Sequence, residues 1–252
     1  MRRLYFLYHE LRANHSQYSY VVENEIFKKH IDFFSAMTER KDSALQPSVT
    51  FDDGHISNFQ YALPILQRRG MKAQFFITVG WTGCKSGYMG WQELRALQAA
   101  GQSIGAHGWS HKLLTHCNER ELHAELIDSR TMLEDKLGMP ITTMSLPGGR
   151  YNQRVLAACH EAGYTQIYAS IPRTEPAVPG LTVGRLNILN NMGLDWIADL
   201  FDSDKSALPR LGRIYQVKTL AQSLMGDRIY EKLWALLNHE EAASDPSEGT
   251  QE

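Results

Sequence analysis

Seven short apolar runs alternate with stretches of helical periodicity between Leu4 and Leu189, and no other feature restricts the fold as strongly. A strand followed by an amphipathic helix brings the chain back to start the next strand in the same direction, so the pattern specifies a parallel α/β sheet. Strands are expected at Leu4–Tyr8, Ser48–Phe51, Ala73–Thr78, Ser103–Ala106, Thr143–Leu146, Tyr164–Ser170 and Val183–Leu189. Helices are expected over Glu23–Met37, with Phe27, Ile31, Phe34 and Met37 on one face, over Asn58–Arg69, where Pro64 is a kink point, and over Trp91–Ala100. A longer helix should run from a capping box of Asn118 and Glu121 to Leu137 and stop at Gly138, and another lies between Asn152 and Gly163. Without a Gly-x-Gly-x-x-Gly fingerprint, a closed barrel is favoured over a dinucleotide-binding sheet.

This places the barrel in residues 1–200 and a helical extension in 201–239, the latter mainly from the apolar periodicity of Met225–Asn238. Residues 240–252 carry five acids and no base, a composition expected to stay disordered. The formal net charge is -2 and no basic run stands out, so no nucleic-acid surface is expected. Cys84, Cys117 and Cys159 are odd in number and lack zinc-type spacing, which argues for reduced thiols and a cytoplasmic location. No run approaches the ~20 apolar residues of a membrane span. Oligomeric state is left open.

The polar residues concentrate at one end of the expected strands. His9, the pair Asp52-Asp53, His107 and the turn Pro147-Gly148-Gly149 all follow the C-terminal ends of strands, the face on which barrel enzymes build their sites. Neighbouring side chains on an extended backbone point to opposite faces, so Asp52 and Asp53 can serve different purposes at one centre. An isolated Asp-Asp-Gly is more often a plain turn. The pair His107 and His111, four apart in His-Gly-Trp-Ser-His, is by itself evenly divided between metal ligands and ordinary residues. With a carboxylate beside it, the set becomes two histidines and one acid, which leaves coordination positions open. His15, His30, His116, His123, His160 and His239 are read as core or surface residues.

Together these residues resemble the polysaccharide deacetylase family of carbohydrate esterases: Thr50-Phe51-Asp52-Asp53-Gly54 matches its first motif intact, and His107 to His111 its second. The resemblance runs from about Leu4 to Leu189. It implies a distorted (β/α)7 barrel, an acetylated saccharide as substrate, and a divalent ion held by Asp53, His107 and His111, with Asp52 as catalytic base. Zinc is the expected ion, with cobalt, nickel or iron as alternatives. The family's Leu-x-His motif, which supplies the acid, is matched by Leu7-Tyr8-His9, so the strand that ordinarily closes the domain opens it here. That order resembles the branch typified by poly-N-acetylglucosamine deacetylases.

One departure concerns the third motif. Arg-x-Pro-aromatic-Gly stands here as Ser145-Leu146-Pro147-Gly148-Gly149, which lacks the arginine that steadies the base; Arg150 and Arg185 are the candidates to replace it. Pro147, Gly148 and Arg150 are expected at the substrate, with the Gly148 N–H facing the developing oxyanion. Trp81, Tyr88, Trp109 and Tyr151 are candidate faces for sugar rings. Two other functions compete: a metal-dependent amidohydrolase of small non-sugar amides, and a sugar-binding pseudoenzyme without turnover.

Overall fold

The computed structural model describes residues 1–40, 43–202 and 205–225. In chain order its strands are β1 (Arg2–Tyr8), β2 (Glu10–Arg12), β3 (Val21–Glu23), β4 (Leu45–Phe51), β5 (Ala73–Ile77), β6 (Ser103–Ala106), β7 (Thr143–Ser145), β8 (Gln166–Ala169), β9 (Glu175–Pro176) and β10 (Thr182–Asn187). The helices are α1 (Asn24–Glu39), α2 (Leu63–Arg68), α3 (Trp91–Ala99), α4 (Glu119–His123), α5 (Ser129–Leu137), α6 (Gln153–Glu161), α7 (Leu194–Asp199) and α8 (Leu208–Met225). None of the described helices is long and apolar enough to cross a membrane.

The parallel strands β1, β4, β5, β6, β7, β8 and β10 pair in that order, and β10 pairs back on to β1 with Arg185 opposite Tyr5. The result is a closed seven-stranded barrel wrapped by helices, and its strands are the seven read from the sequence. Alternation decides what fills it. On β1, Phe6 stacks on Phe34 of α1 at 4.4 Å and Tyr8 meets Phe27 edge-on at 5.0 Å, so the even-numbered residues face the helix. The odd-numbered residues therefore face the barrel lumen, where Tyr5 joins Phe76, Tyr168 and Val183. Gly105 leaves room for this cluster, since a Cβ there would lie 2.7 Å from the Phe76 ring and against the Thr143 hydroxyl. Burying each large apolar side chain contributes about 1.5–3 kcal/mol.

Helix signals in the sequence correspond to real caps. Asn118 accepts from the Glu121 N–H at 3.0 Å while the Glu121 carboxylate accepts from the Asn118 N–H, and Gly138 ends α5 at φ 65°. Asn152 caps α6 by accepting from the Val155 N–H. Two expected helices are less regular than anticipated. At Asn58–Ala62 the turn widens to π type, with the Leu63 N–H bonded to the Asn58 carbonyl, just before Pro64. Proline has no N–H and its ring crowds the carbonyl four residues back, so the chain relaxes into the wider turn. The helix expected from Asn118 to Leu137 is likewise interrupted by a π turn at Ala124–Asp128.

Three short strands were not expected. Between β1 and α1 lie β2 and β3, which pair with each other in a separate two-stranded sheet, and between β8 and β10 lies β9, which pairs antiparallel with the start of β1. Such two- and three-residue strands are set by their partners and have no run of their own to betray them. Residues Met1–Pro209 form one unit and Arg210–Glu252 a second, whose described part is helical. Apart from Met225, the helix expected over Met225–Asn238 falls outside the described residues, as do residues 240–252.

Candidate active site and metal centre

The C-terminal ends of the strands bring the predicted residues together. Asp53 follows β4, while His107 follows β6 and His111 ends the loop beyond it. One Asp53 oxygen, Oδ1, lies 3.3 Å from His107 Nε2 and 3.3 Å from His111 Nε2. Ligands about 2.0–2.1 Å from a four-coordinate ion are themselves about 3.3–3.4 Å apart, so the spacing is that of a coordination edge. His107 Nδ1 donates to the Ser145 carbonyl at 2.8 Å. A carbonyl can only accept, which fixes the tautomer and turns the Nε2 lone pair toward Asp53. Asp53 Oδ1 is buried and has no hydrogen-bond donor, and these three residues are the group of potential ligands found among the described residues. A buried, unpaired carboxylate oxygen between two imidazole nitrogens suits a divalent cation.

Asp53 and His111 are both held in strained backbone. Among the described residues, the non-glycine residues with positive φ are Asp53 at 73° and His111 at 64°. Such conformations cost about 1–3 kcal/mol each and persist where the surroundings enforce them.

Asp52 continues β4 into the lumen, where its N–H bonds to the Tyr8 carbonyl. It is 3% exposed, and its neighbours decide its charge. Arg185, fully buried, reaches it from β10 with Nη1 on Oδ1 at 2.7 Å and Nη2 on Oδ2 at 2.9 Å. Ser145 donates to Oδ2 at 2.9 Å and accepts from Arg185 Nη2 at 2.7 Å. The guanidinium packs over the Phe76 and Tyr168 rings, with centroid distances of 5.3 and 5.7 Å. Of the two arginines left open by the sequence, Arg185 is the one on Asp52, and Ser145, at the third-motif arginine's position, makes space for it. Arg150 follows the Pro147–Gly149 turn.

Burial alone would raise the Asp52 carboxyl, but Arg185 and then His107 outweigh it and hold it below the usual carboxylate range. Burial likewise opposes ionisation of Asp53, which His107, His9 and His111 keep low. His107 is lowered by burial and raised by Asp52 and Asp53, with a net upward shift. Burial depresses His111, reinforced by His107.

His9 lies next to Tyr20, edge-on at 5.0 Å, its carbonyl held by the Asn58 side chain. Burial lowers its pKa, against the charges of Asp53 and Asp52, which act to raise it. Its Nδ1 is buried without a partner. Gly148, exposed at φ 64°, leads the turn beside buried Pro147, and a Cβ on it would lie 2.7 Å from Leu113. Trp81 stacks on His111 at 5.3 Å and Tyr88 meets both Trp81 and His55, forming an aromatic wall at the mouth. Lys85 caps that wall, 3.7 Å from the Trp81 centroid. From His55 an open groove of about 410 Å³ leads away between Glu10, Arg12, Ser57, Gln60 and Tyr61. Sequence reading missed Ser145 as a partner of Asp52, although its place on an inward-facing strand position was available as a signal.

The sequence model described as polysaccharide deacetylase matches residues 40–167. YxkH of Bacillus subtilis, named among the polysaccharide deacetylases, is 31% identical over 126 residues, which cover 50% of this chain and 45% of that protein. A chitin deacetylase of Pestalotiopsis is 30% identical over 124 residues, or 49% of this chain and 41% of its own. The chain thus spans less than half the length of these two relatives. Among solved structures, the Streptococcus pyogenes deacetylase PplD, in complex with acetate, superposes with a TM-score of 0.70 at 19% identity, covering 80% of this chain and 99% of that one. IcaB from Ammonifex degensii gives 0.65 at 18% identity, over 80% and 97%.

Proposed function

The chain belongs to the polysaccharide deacetylase family, and from that premise we propose that it is a metal-dependent hydrolase removing acetyl groups from N-acetylhexosamine units of a saccharide. The observation carrying this reading is the Asp53, His107 and His111 triangle with a second carboxylate, Asp52, 3.8 Å from His107 Nε2 and independently anchored. Asp53, His107 and His111 would hold a divalent ion, zinc in our reading, which would supply a Lewis acid for polarising an acetyl carbonyl and acidifying a water.

The chain's own groups supply the proton traffic. Asp52, kept anionic and oriented by Arg185 and Ser145, takes a proton from the attacking water as the new C–O bond forms. A carboxylate has about four lone-pair directions, so three donors leave one for this task. The Gly148 N–H donates to the oxyanion, where the absence of a side chain allows close approach. As the C–N bond breaks, His9 gives a proton to the amine, leaving acetate and a free amino sugar. Arg185 on Asp52 supports turnover over a sugar-binding role, because it supplies the arginine that the third motif lacks. The aromatic wall and the groove beyond His55 support an extended saccharide over a small amide.

Acetate release from acetylated oligosaccharides, measured with zinc, cobalt and nickel supplied in turn, tests the proposal. Release only from small non-sugar amides would redirect it to the amidohydrolase reading, and sugar binding without release in metal-loaded protein would overturn it.

A further inference from the structure

Glu125 is a carboxylate in the wrong place for a solvated one. It is 4% exposed, on the buried face of the helical segment that also carries Leu122 and Leu126, and glutamates are rarely buried unless paired. Among the described residues, its hydrogen-bond donors come from two residues of the loop between the two histidines. Oε2 accepts from the Trp109 N–H at 2.7 Å and the Ser110 N–H at 3.0 Å, and Oε1 from the Ser110 N–H at 3.2 Å and the Ser110 hydroxyl. Bonds to an ionised acceptor are about twice as strong as neutral ones, so the loop is tied at its centre.

The surroundings are built to allow this grip. A Cβ on Gly108, which has φ 77°, would lie 2.5 Å from Glu125 Oε2, so only glycine admits the carboxylate to the loop. Glu125 sits in the π turn, where the Ser129 N–H reaches back five residues to the Ala124 carbonyl. The Ser129 hydroxyl donates to the Glu125 carbonyl at 2.5 Å, and the Tyr164 hydroxyl to the Leu126 carbonyl at 2.8 Å. The irregular turn is therefore secured from two sides, and such turns recur at functional sites. The restrained loop ends at His111, in the left-handed conformation that a free histidine disfavours.

We propose that Glu125 is a positioning residue that sets the cation affinity of the Asp53, His107 and His111 triangle by holding the 108–110 loop, and with it His111, in ligating geometry. This rests on the reading of those three residues as metal ligands. Glu125 touches neither the ion's place nor the reacting atoms. Without it, His111 must be brought into its strained position by the ion alone, and affinity falls by that cost.

The test uses the full chain stripped by chelator, titrated with zinc against a chromophoric competitor and with cobalt by visible absorption. Glu125→Gln should bind zinc about 10- to 100-fold more weakly than wild type. Its cobalt spectrum should move toward that of His111→Ala, a change that mere loosening of the helix would not produce. Asp128→Asn, on the exposed side of the same helical stretch, should match wild type in both. If Glu125→Gln fails to fold, Ser110→Ala removes one donor and leaves the helix intact, with an expected loss of about threefold to tenfold. A folded Glu125→Gln or Ser110→Ala with unchanged zinc affinity and cobalt spectrum overturns this proposal alone. A wild type that holds neither ion overturns the metal reading and this proposal with it.

Discussion

Arg185 meets Asp52 across 133 positions of sequence, with Nη1 and Nη2 each on its own carboxylate oxygen at 2.7 and 2.9 Å. The family's third motif delivers its arginine from the position that is Ser145 here, one strand among seven. In this barrel the guanidinium arrives from β10, and the small Ser145 hydroxyl completes the bridge. Arg185→Met should lower kcat about 10²- to 10⁴-fold, because the base loses its orientation, and leave a buried carboxylate unpaired at a cost of about 3–5 kcal/mol in stability. Adding Ser145→Arg to that variant should restore part of both. Acetate release and thermal melting check it, and a double variant no better than the single one would show that the two positions are not interchangeable.

Variants of Asp52 and His107 should separate catalysis from metal binding. Asp52→Asn is expected to retain zinc and lose turnover, whereas His107→Ala loses both. Metal content by elemental analysis, alongside acetate release, distinguishes the two, and an active Asp52→Asn protein would remove Asp52 from the role of base.

His9 should matter only where the leaving group needs a proton. His9→Ala is expected to lower kcat on N-acetyl sugars by about 10²-fold with metal content unchanged. On 4-nitrophenyl acetate, whose leaving group departs as a stable anion, the same variant should stay close to wild type. Equal losses on both substrates would point to a structural effect.

The buried His30 makes stability depend on pH. Its Nδ1 is hydrogen-bonded to the Tyr8 hydroxyl at 3.0 Å, and burial, opposed by the carbonyls of Met192 and Gly193, lowers its pKa from 6.5 to about 4. Tyr8, pushed well above 10 by its own burial, stays neutral throughout. Because the folded value lies below the unfolded one, the unfolded chain binds the proton more readily. Stability is therefore full above about pH 6.5 and falls by roughly 3 kcal/mol on acidification toward pH 4. Denaturant midpoints across that window should show a shallower slope in His30→Gln than in wild type.

Much of the fold was legible because its signals are local. A strand's apolar run, the stripe of Phe27, Ile31, Phe34 and Met37, and the Asn118 and Glu121 box depend on residues a few positions apart, and these were read correctly. The same holds for the site's nearest neighbours: Asp52 and Asp53 are adjacent, and His107 and His111 share one loop.

What lay beyond the sequence depends on how the barrel closes. Whether Arg150 or Arg185 faces Asp52 is decided by the register that sets Arg185 beside Tyr5, and no local pattern encodes that pairing. No local pattern marks Glu125 either; only the folding of the loop bearing His107 and His111 on to it sets it apart from other helix acids. The left-handed backbone of Asp53 and His111 has the same origin, since the conformations that single residues avoid are imposed by contacts among many. Periodicity and caps are properties of a segment, so the chain alone determines them; the partner of an inward-facing side chain is a property of the closed barrel.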